Sequence, residues 1–209
     1  MTADANRLAW IYSAENPAQL RERYEAWAAH YDSDLDALAW SAPQAAAERC
    51  HVRLQPNARV LDAGCGTGQV GAHLYRLGGH QVTGFDLSPA MLAQAAKRGG
   101  YAQLIEGSLL EPLPFADGSF DAAVSVGVFT YAHVGPAALA PVVRAVRPGG
   151  FVVMAFRDDV VTALGFEQEF ARLENIGAWQ LLERSEPAPM VEEDGQGIDM
   201  RVWSWRVGG

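Results

Sequence analysis

Nine residues concentrate the chemistry of this chain: Val60–Gly68, Val-Leu-Asp-Ala-Gly-Cys-Gly-Thr-Gly. An apolar run ends in an acid, Asp62, and glycines then alternate at Gly64, Gly66 and Gly68, with Cys65 and Thr67 between them. Glycine lacks a Cβ, permits positive φ and lets a ligand approach bare backbone. Such a loop ahead of a helix is expected to turn its amides toward a nucleotide-like cofactor. A second carboxylate, Asp86, stands 24 positions after Asp62 at the close of another apolar run. There it can accept hydrogen bonds from both hydroxyls of a ribose. The dinucleotide fingerprint G-x-G-x-x-G needs glycine at position 69, where Gln69 stands. That departure argues against a nicotinamide-dependent oxidoreductase.

These residues need a parallel sheet to hold them. Strands are expected at Arg59–Ala63, Gln81–Asp86, Ala102–Glu106, Phe120–Val126 and Gly150–Arg157. Helices fall between them at Gly68–Leu77, Pro89–Arg98 and Pro136–Val146, the alternation of an α/β fold. Pro148-Gly149-Gly150 reads as a sharp turn into the fifth strand. Downstream, Val160–Ile176 reads as a helix, and Trp179–Glu183 and Met200–Val207 as strands. Pro187–Gly197, rich in Pro, Gly and acid, reads as a loop and a candidate lid. Upstream, Ala18–Tyr31 places Leu20, Tyr24, Trp27 and Tyr31 on one helical face, and Ala45–Leu54 forms a further helix closed by Pro56. A single domain is expected over 1–209, with a helical cap over 1–45 and an α/β core over 46–209.

Bulk composition sets the boundaries. A hydrophobic content of 49% with 20% charged residues fits a globular enzyme. No apolar run reaches the length of a membrane span, and the N-terminus lacks the layout of a signal peptide, so no membrane partner and a cytoplasmic location are expected. Cys50 and Cys65 are too isolated for a zinc cluster or a disulfide framework. A net charge of −9 opposes generic nucleic-acid binding, which draws affinity from Lys and Arg on phosphates.

The pattern D-x-G-x-G-x-G over Asp62–Gly68 resembles motif I of the class I S-adenosylmethionine (SAM)-dependent methyltransferases. The resemblance implies a Rossmann-like, doubly wound, mostly parallel seven-stranded sheet of order 3-2-1-4-5-7-6 with strand 7 antiparallel. It also implies SAM as methyl donor and S-adenosylhomocysteine (SAH) as product. Val82–Leu92 resembles the second motif, which assigns Asp86 to the ribose and Leu87 and Met91 to the adenine, while Ser88 before Pro89 caps the next helix. In Ile105-Glu106-Gly107-Ser108-Leu109-Leu110 the family often carries Asp after the glycine, at the adenine amine; here Ser108, followed by Leu109, takes that place. Phe120–Gly127 resembles the fourth strand, whose end brings backbone carbonyls near Val126 and Gly127 to the cofactor's ammonium group. Tyr24–Leu35 and Arg172–Trp179 resemble the Williams–Beuren-region methyltransferase-like proteins.

Methyl transfer from a sulfonium is an in-line displacement in which the protein supplies position. A general base helps a hydroxyl or carbon acid and is dispensable for a neutral amine or a thiolate. The segments able to reach the acceptor are the N-terminal helix, Gly127–His133, Arg157–Asp159 and Pro187–Asp199. They offer Tyr24, His30, Tyr31, Tyr131, His133 and Arg157. His133, shortly after the fourth strand, is the candidate base, against a surface or helix-end histidine. Tyr31 is the second candidate catalytic residue, and it either covers the cofactor's carboxylate or packs in the core; Tyr24 and Trp27 read as lid or core aromatics. His51, His73 and His80 read as ordinary surface or helix residues. Glu192, Glu193 and Asp194 hint at a cationic acceptor, against a solvated acidic loop. Motifs for nucleobase and protein-arginine methylation are absent, and no carboxylate cluster calls for a metal. A small-molecule acceptor and a monomer or weak homodimer are the expectation. The alternative is a protein that binds SAM or SAH without transferring methyl, as a sensor or partner subunit.

Overall fold

The computed structural model describes residues 3–193 and 196–209. Four helices lead: α1 (Ala3–Tyr12), α2 (Pro17–Trp27), α3 (Tyr31–Ala37) and α4 (Ala42–His51). The alternating unit follows as β1 (Arg59–Ala63), α5 (Gln69–Gly78), β2 (Gln81–Asp86), α6 (Pro89–Arg98), β3 (Gln103–Glu106), β4 (Phe120–Val126), α7 (Leu139–Ala145) and β5 (Val146–Arg157). The chain ends with α8 (Asp158–Ala163), α9 (Phe166–Asn175), β6 (Trp179–Arg184), β7 (Ala188–Glu193) and β8 (Gln196–Val207).

The sheet runs β3-β2-β1-β4-β5-β8-β6, with β7 paired to β8 off that path. Pairs among β1 to β5 are parallel, and β8 is antiparallel to β5, β6 and β7. Strand order reverses between β1 and β4, so a crevice opens beyond their carboxyl ends, the usual ligand position in open α/β sheets. Alternation along each strand feeds two cores. Leu61, Ala123 and Val152 face one, while Val60, Ala122 and Val153 face the other. The first core holds Trp179 stacked on Trp205 at 4.4 Å between centroids.

Several expectations are corrected. Pro187–Gly197 is largely β7 and its return, in register from Ala188↔Met200 to Glu193↔Gln196, and not a free loop. Buried Met190 and Met200 anchor this hairpin, and Pro189 is accommodated at an edge strand beside a bulge. Asp194 lies outside the described residues, as do the side chains of Glu192 and Glu193. The helix expected over Val160–Ile176 breaks into α8 and α9 at Gly165, whose φ is +76°. Pro148-Gly149-Gly150 lies within β5, where the pairing jumps from Phe120↔Val146 to Ala122↔Phe151. The helix through Tyr31 stops at Trp27, and the Trp27 indole donates to Asp34 of α3 at 2.7 Å. A cap boundary at 45/46 cuts α4, which packs on α5, β4, β5 and β8 and so belongs to the core. No described helix is long and apolar enough to cross a membrane.

Candidate active site

A cavity of about 370 Å³ opens at the carboxyl ends of β1, β2 and β4. This volume lies in the range that encloses drug-sized ligands. Of the residues expected to act, Tyr31, Gly64, Gly66, Asp86, Leu87, Met91, Ser108, Leu109, Val126, Gly127 and His133 line it. Asp62, Cys65, Thr67 and Gly68 do not line it; each is committed elsewhere.

Asp62 is buried and accepts a hydrogen bond from Tyr101 Oη at 2.6 Å, while its second oxygen has no partner among the described residues. Burial pushes its pKa up to about 7 against the opposing Tyr101 bond. Tyr101 sits in a socket made by absent side chains: a Cβ at Gly68, Gly71 or Gly84 would meet its ring at 2.9, 2.2 or 2.8 Å. Gly68 therefore serves Tyr101. The Cys65 sulfur lies over Gly84, and Thr67 Oγ1 donates to Asp32 of α3 at 2.6 Å.

The loop's amides are turned inward rather than toward the cavity. Gly64 N and Cys65 N donate to the Phe85 carbonyl, at 2.7 and 3.2 Å. Gly66 N donates to Asp86 Oδ2 at 2.7 Å, and Gly68 N to the Cys65 carbonyl. What the loop offers a ligand is the missing Cβ of Gly66, which would meet nothing within 4 Å. Asp86 is placed by this loop from one side and by Ser88 N, 3.0 Å from Oδ1, from the other. Burial raises the Asp86 pKa, and these amides oppose the rise. Ser88 caps α6 as expected, accepting from Met91 N at 3.1 Å. Ser108 Oγ already accepts the Leu110 amide at 3.1 Å.

Helices α2 and α3, with the segment Ala14–Asn16 before them, roof the cavity through polar clasps. Arg21 of α2 pairs with Glu106 at 2.7 Å, Glu25 accepts from Ser88 Oγ at 2.7 Å, and Asp32 of α3 pairs with Arg98. Tyr24 meets His133 Nε2 at 2.6 Å, and His133 Nδ1 lies 2.6 Å from the Tyr131 carbonyl oxygen. Burial lowers the His133 pKa and raises those of Tyr24 and Tyr31. Of the roof residues not singled out from sequence, Asn16 and Pro17 start α2 as cap and first-turn proline, while the contact of Glu25 with Ser88 joins positions too distant in the chain for a local pattern to show. The small residues around Tyr101 were the visible trace of its socket.

A second, smaller cavity of about 50 Å³ shares Tyr24, Tyr31 and Gly127 with the first. Its aromatic wall comprises Tyr12, Trp27, Trp40 and Phe129 besides, and Arg157 and Ile198 border it. The four segments expected to reach the acceptor thus contribute to one or both cavities. His30 and Tyr131 line neither, and His30 is exposed at the start of α3. His80 is buried against His51 at 3.0 Å rather than on the surface. Among the described residues no group of three His, Cys, Asp or Glu side chains could hold a metal.

Comparison with known proteins agrees with this architecture. Residues 61–154 match the family model described as a methyltransferase domain. Human methyltransferase-like protein 27 is 36% identical over 171 residues, covering 78% of this chain and 69% of that protein. Malonyl-[acyl-carrier protein] O-methyltransferase of Erwinia pyrifoliae is 36% identical over 143 residues, 68% of this chain and 52% of that protein. Shorter stretches align with an 18S rRNA (guanine-N7)-methyltransferase of Saccharomyces cerevisiae. Among solved structures, a TehB-like SAM-dependent methyltransferase of Corynebacterium glutamicum superposes with a TM-score of 0.63 at 24% identity, covering 92% of this chain and all of that one. At that identity the likeness is one of fold. The chain belongs to the class I SAM-dependent methyltransferases, of the methyltransferase-like type.

Proposed function

We propose that this methyltransferase acts on a small-molecule acceptor held against the aromatic wall, with SAM in the larger cavity. When bound, SAM supplies a methyl group on a positively charged sulfonium. Asp86 takes the ribose hydroxyls through its cavity-facing lone pairs. Leu87, Met91, Ser108 and Leu109 enclose the adenine. Gly64 and Gly66 let the ligand approach the loop, Val126 and Gly127 receive the amino-acid end, and Tyr31 covers it. The observation that carries the small-acceptor reading is the roof: α2 and α3 close over both cavities and α1 over the smaller one, leaving about 50 Å³ on the acceptor side. The net charge of −9 adds to this by disfavouring a phosphate backbone. We propose further that the roof and the sheet act as one domain, divided before α4.

The test presents methyl-labelled SAM with three acceptor fractions: a small-molecule ultrafiltrate, total RNA and total protein. Label should enter the ultrafiltrate alone. Label entering RNA, as the name of the yeast relative would lead one to expect, or entering protein, overturns the reading.

A further inference from the structure

Tyr24 and His133 are joined in a defined order of donors. The Tyr131 carbonyl can only accept, so His133 Nδ1, 2.6 Å away, carries the proton. Nε2 then has a lone pair, and the Tyr24 hydroxyl donates to it at 2.6 Å. Both side chains line the larger cavity, and Tyr24 also walls the aromatic one. The Tyr24 oxygen has thus given its hydrogen to His133 and keeps its lone pairs for a further donor, at the boundary where donor and acceptor must meet.

We propose that Tyr24 and His133 form a proton relay and that the acceptor is an alcohol or phenol, methylated on oxygen. This rests on the placement of SAM and acceptor given above. As the acceptor oxygen bonds to the methyl carbon, the sulfur–methyl bonding pair returns to sulfur, leaving a neutral thioether. The acceptor's proton passes to Tyr24 Oη while the Tyr24 proton passes to His133 Nε2. His133 ends as an imidazolium whose Nδ1–H stays on the Tyr131 carbonyl. An amine or thiolate acceptor would need no such chain, and burying two linked polar side chains between roof and core would then bring no chemical gain.

The surroundings fit a neutral resting histidine. Tyr12 stands edge-on to its ring at 5.9 Å, and the Arg157 guanidinium lies 5.9 Å from the rings of Tyr12 and Tyr131, itself paired with Asp159. On the cofactor side Asp86 and Tyr31 bear on Tyr24. Burial lowers the His133 pKa below its ordinary 6.5, so the lone pair is available at neutral pH. Because Tyr24 belongs to α2 and His133 to the segment after β4, the relay exists only with the roof closed.

The test compares wild type, Tyr24→Phe and His133→Gln by three readouts. The first is ¹⁵N NMR of histidine-labelled protein with SAH bound, which reports tautomer without turnover. Wild type should show the Nδ1–H tautomer, with the Nε2 signal moving in Tyr24→Phe. The second is calorimetry, in which wild type should bind SAH, together with thermal melting and far-UV circular dichroism, in which both variants should stay close to wild type, showing that they fold. The third is labelled-methyl transfer to the ultrafiltrate. Product should carry methyl on oxygen, with kcat reduced about 100-fold or more in either variant. The wild-type rate should rise with pH through a value below 6.5 and then level off, and His133→Gln should lose that limb. Methyl on nitrogen or sulfur, an unchanged rate in Tyr24→Phe, an Nε2–H tautomer, or SAH binding without any transfer overturns the relay. Failure of wild type to bind SAH instead overturns the placement of the cofactor, and the relay with it.

Discussion

Alanine at Gly66 and at Gly64 should separate ligand contact from packing within one loop. At Gly66, φ is +52° and an added Cβ meets nothing within 4 Å. Its amide is taken by Asp86, so the substitution adds a methyl to the cavity face and removes no donor. The left-handed backbone costs a non-glycine residue about 1–2 kcal/mol. For a domain of this size that lowers Tm by roughly 2–8 °C. SAH, displaced from its approach to Cα, should bind at least about tenfold more weakly, or about 1.4 kcal/mol. At Gly64, φ is +79° and the new Cβ would stand 2.1 Å from Val128 Cγ2. Backbone strain then adds to overpacking, for a loss of about 2–5 kcal/mol. The assays are thermal melting of both variants and calorimetry with SAH on Gly66→Ala. Should Gly66→Ala bind SAH within a factor of two of wild type, the open space above Gly66 is not where the cofactor lies.

Asp86→Ala should weaken SAH by about 1–3 kcal/mol, since charged hydrogen bonds to the ribose are lost; unchanged affinity in calorimetry would refute the ribose assignment. Asp62 titrates near 7 in the fold against an ordinary 3.8, so the folded state holds the extra proton. Its contribution is full below about pH 4 and is lost as pH rises through 7. Urea titrations from pH 4 to 8 should therefore show wild type losing stability relative to Asp62→Asn as pH rises, and parallel curves would disprove the shift. Burial pushes the Cys50 thiol up to about 12 and raises that of Cys65. Both should resist a thiol reagent at pH 8 until denaturant is added, and fast labelling of native protein would contradict their burial.

The sequence was most legible where local geometry and chemistry coincide. Asp62 to Gly68 marked the end of β1, and Ser88-Pro89 fixed the start of α6 because cap and ring each constrain the same turn. The loop's chemistry was read less well. Its glycines were expected to free amides for a ligand, yet four of those amides bond within the protein, and Gly68 makes room for Tyr101. The socket depends on residues from α5, β2 and the segment before β3, a proximity no local pattern encodes. Pro187–Gly197 failed for the opposite reason. Its Pro, Gly and acid obscured the alternation of Ala188 and Met190, whose burial depends on β8 lying alongside. His133 was singled out by its place after β4, but its partner Tyr24, more than a hundred residues away, was read as lid or core.

The roof has a consequence for how such a protein can diversify. Its clasps are polar and mostly half-exposed, such as Arg21–Glu106, and pairs of that kind contribute about 0–1 kcal/mol each. The family match over 61–154 includes the glycine loop and Asp86, whereas Tyr12, Trp27, Tyr31, Trp40 and Ile198 lie outside it. In the proposed placement the glycine loop and Asp86 hold the donor from the sheet side, Tyr31 of the roof covers it, and most of the aromatic wall belongs to the roof, joined to the sheet by weak, replaceable contacts. On that placement, a chimaera that exchanges residues 1–41 for those of another member while keeping Tyr31 is expected to retain the methyl donor and to change its appetite for acceptors.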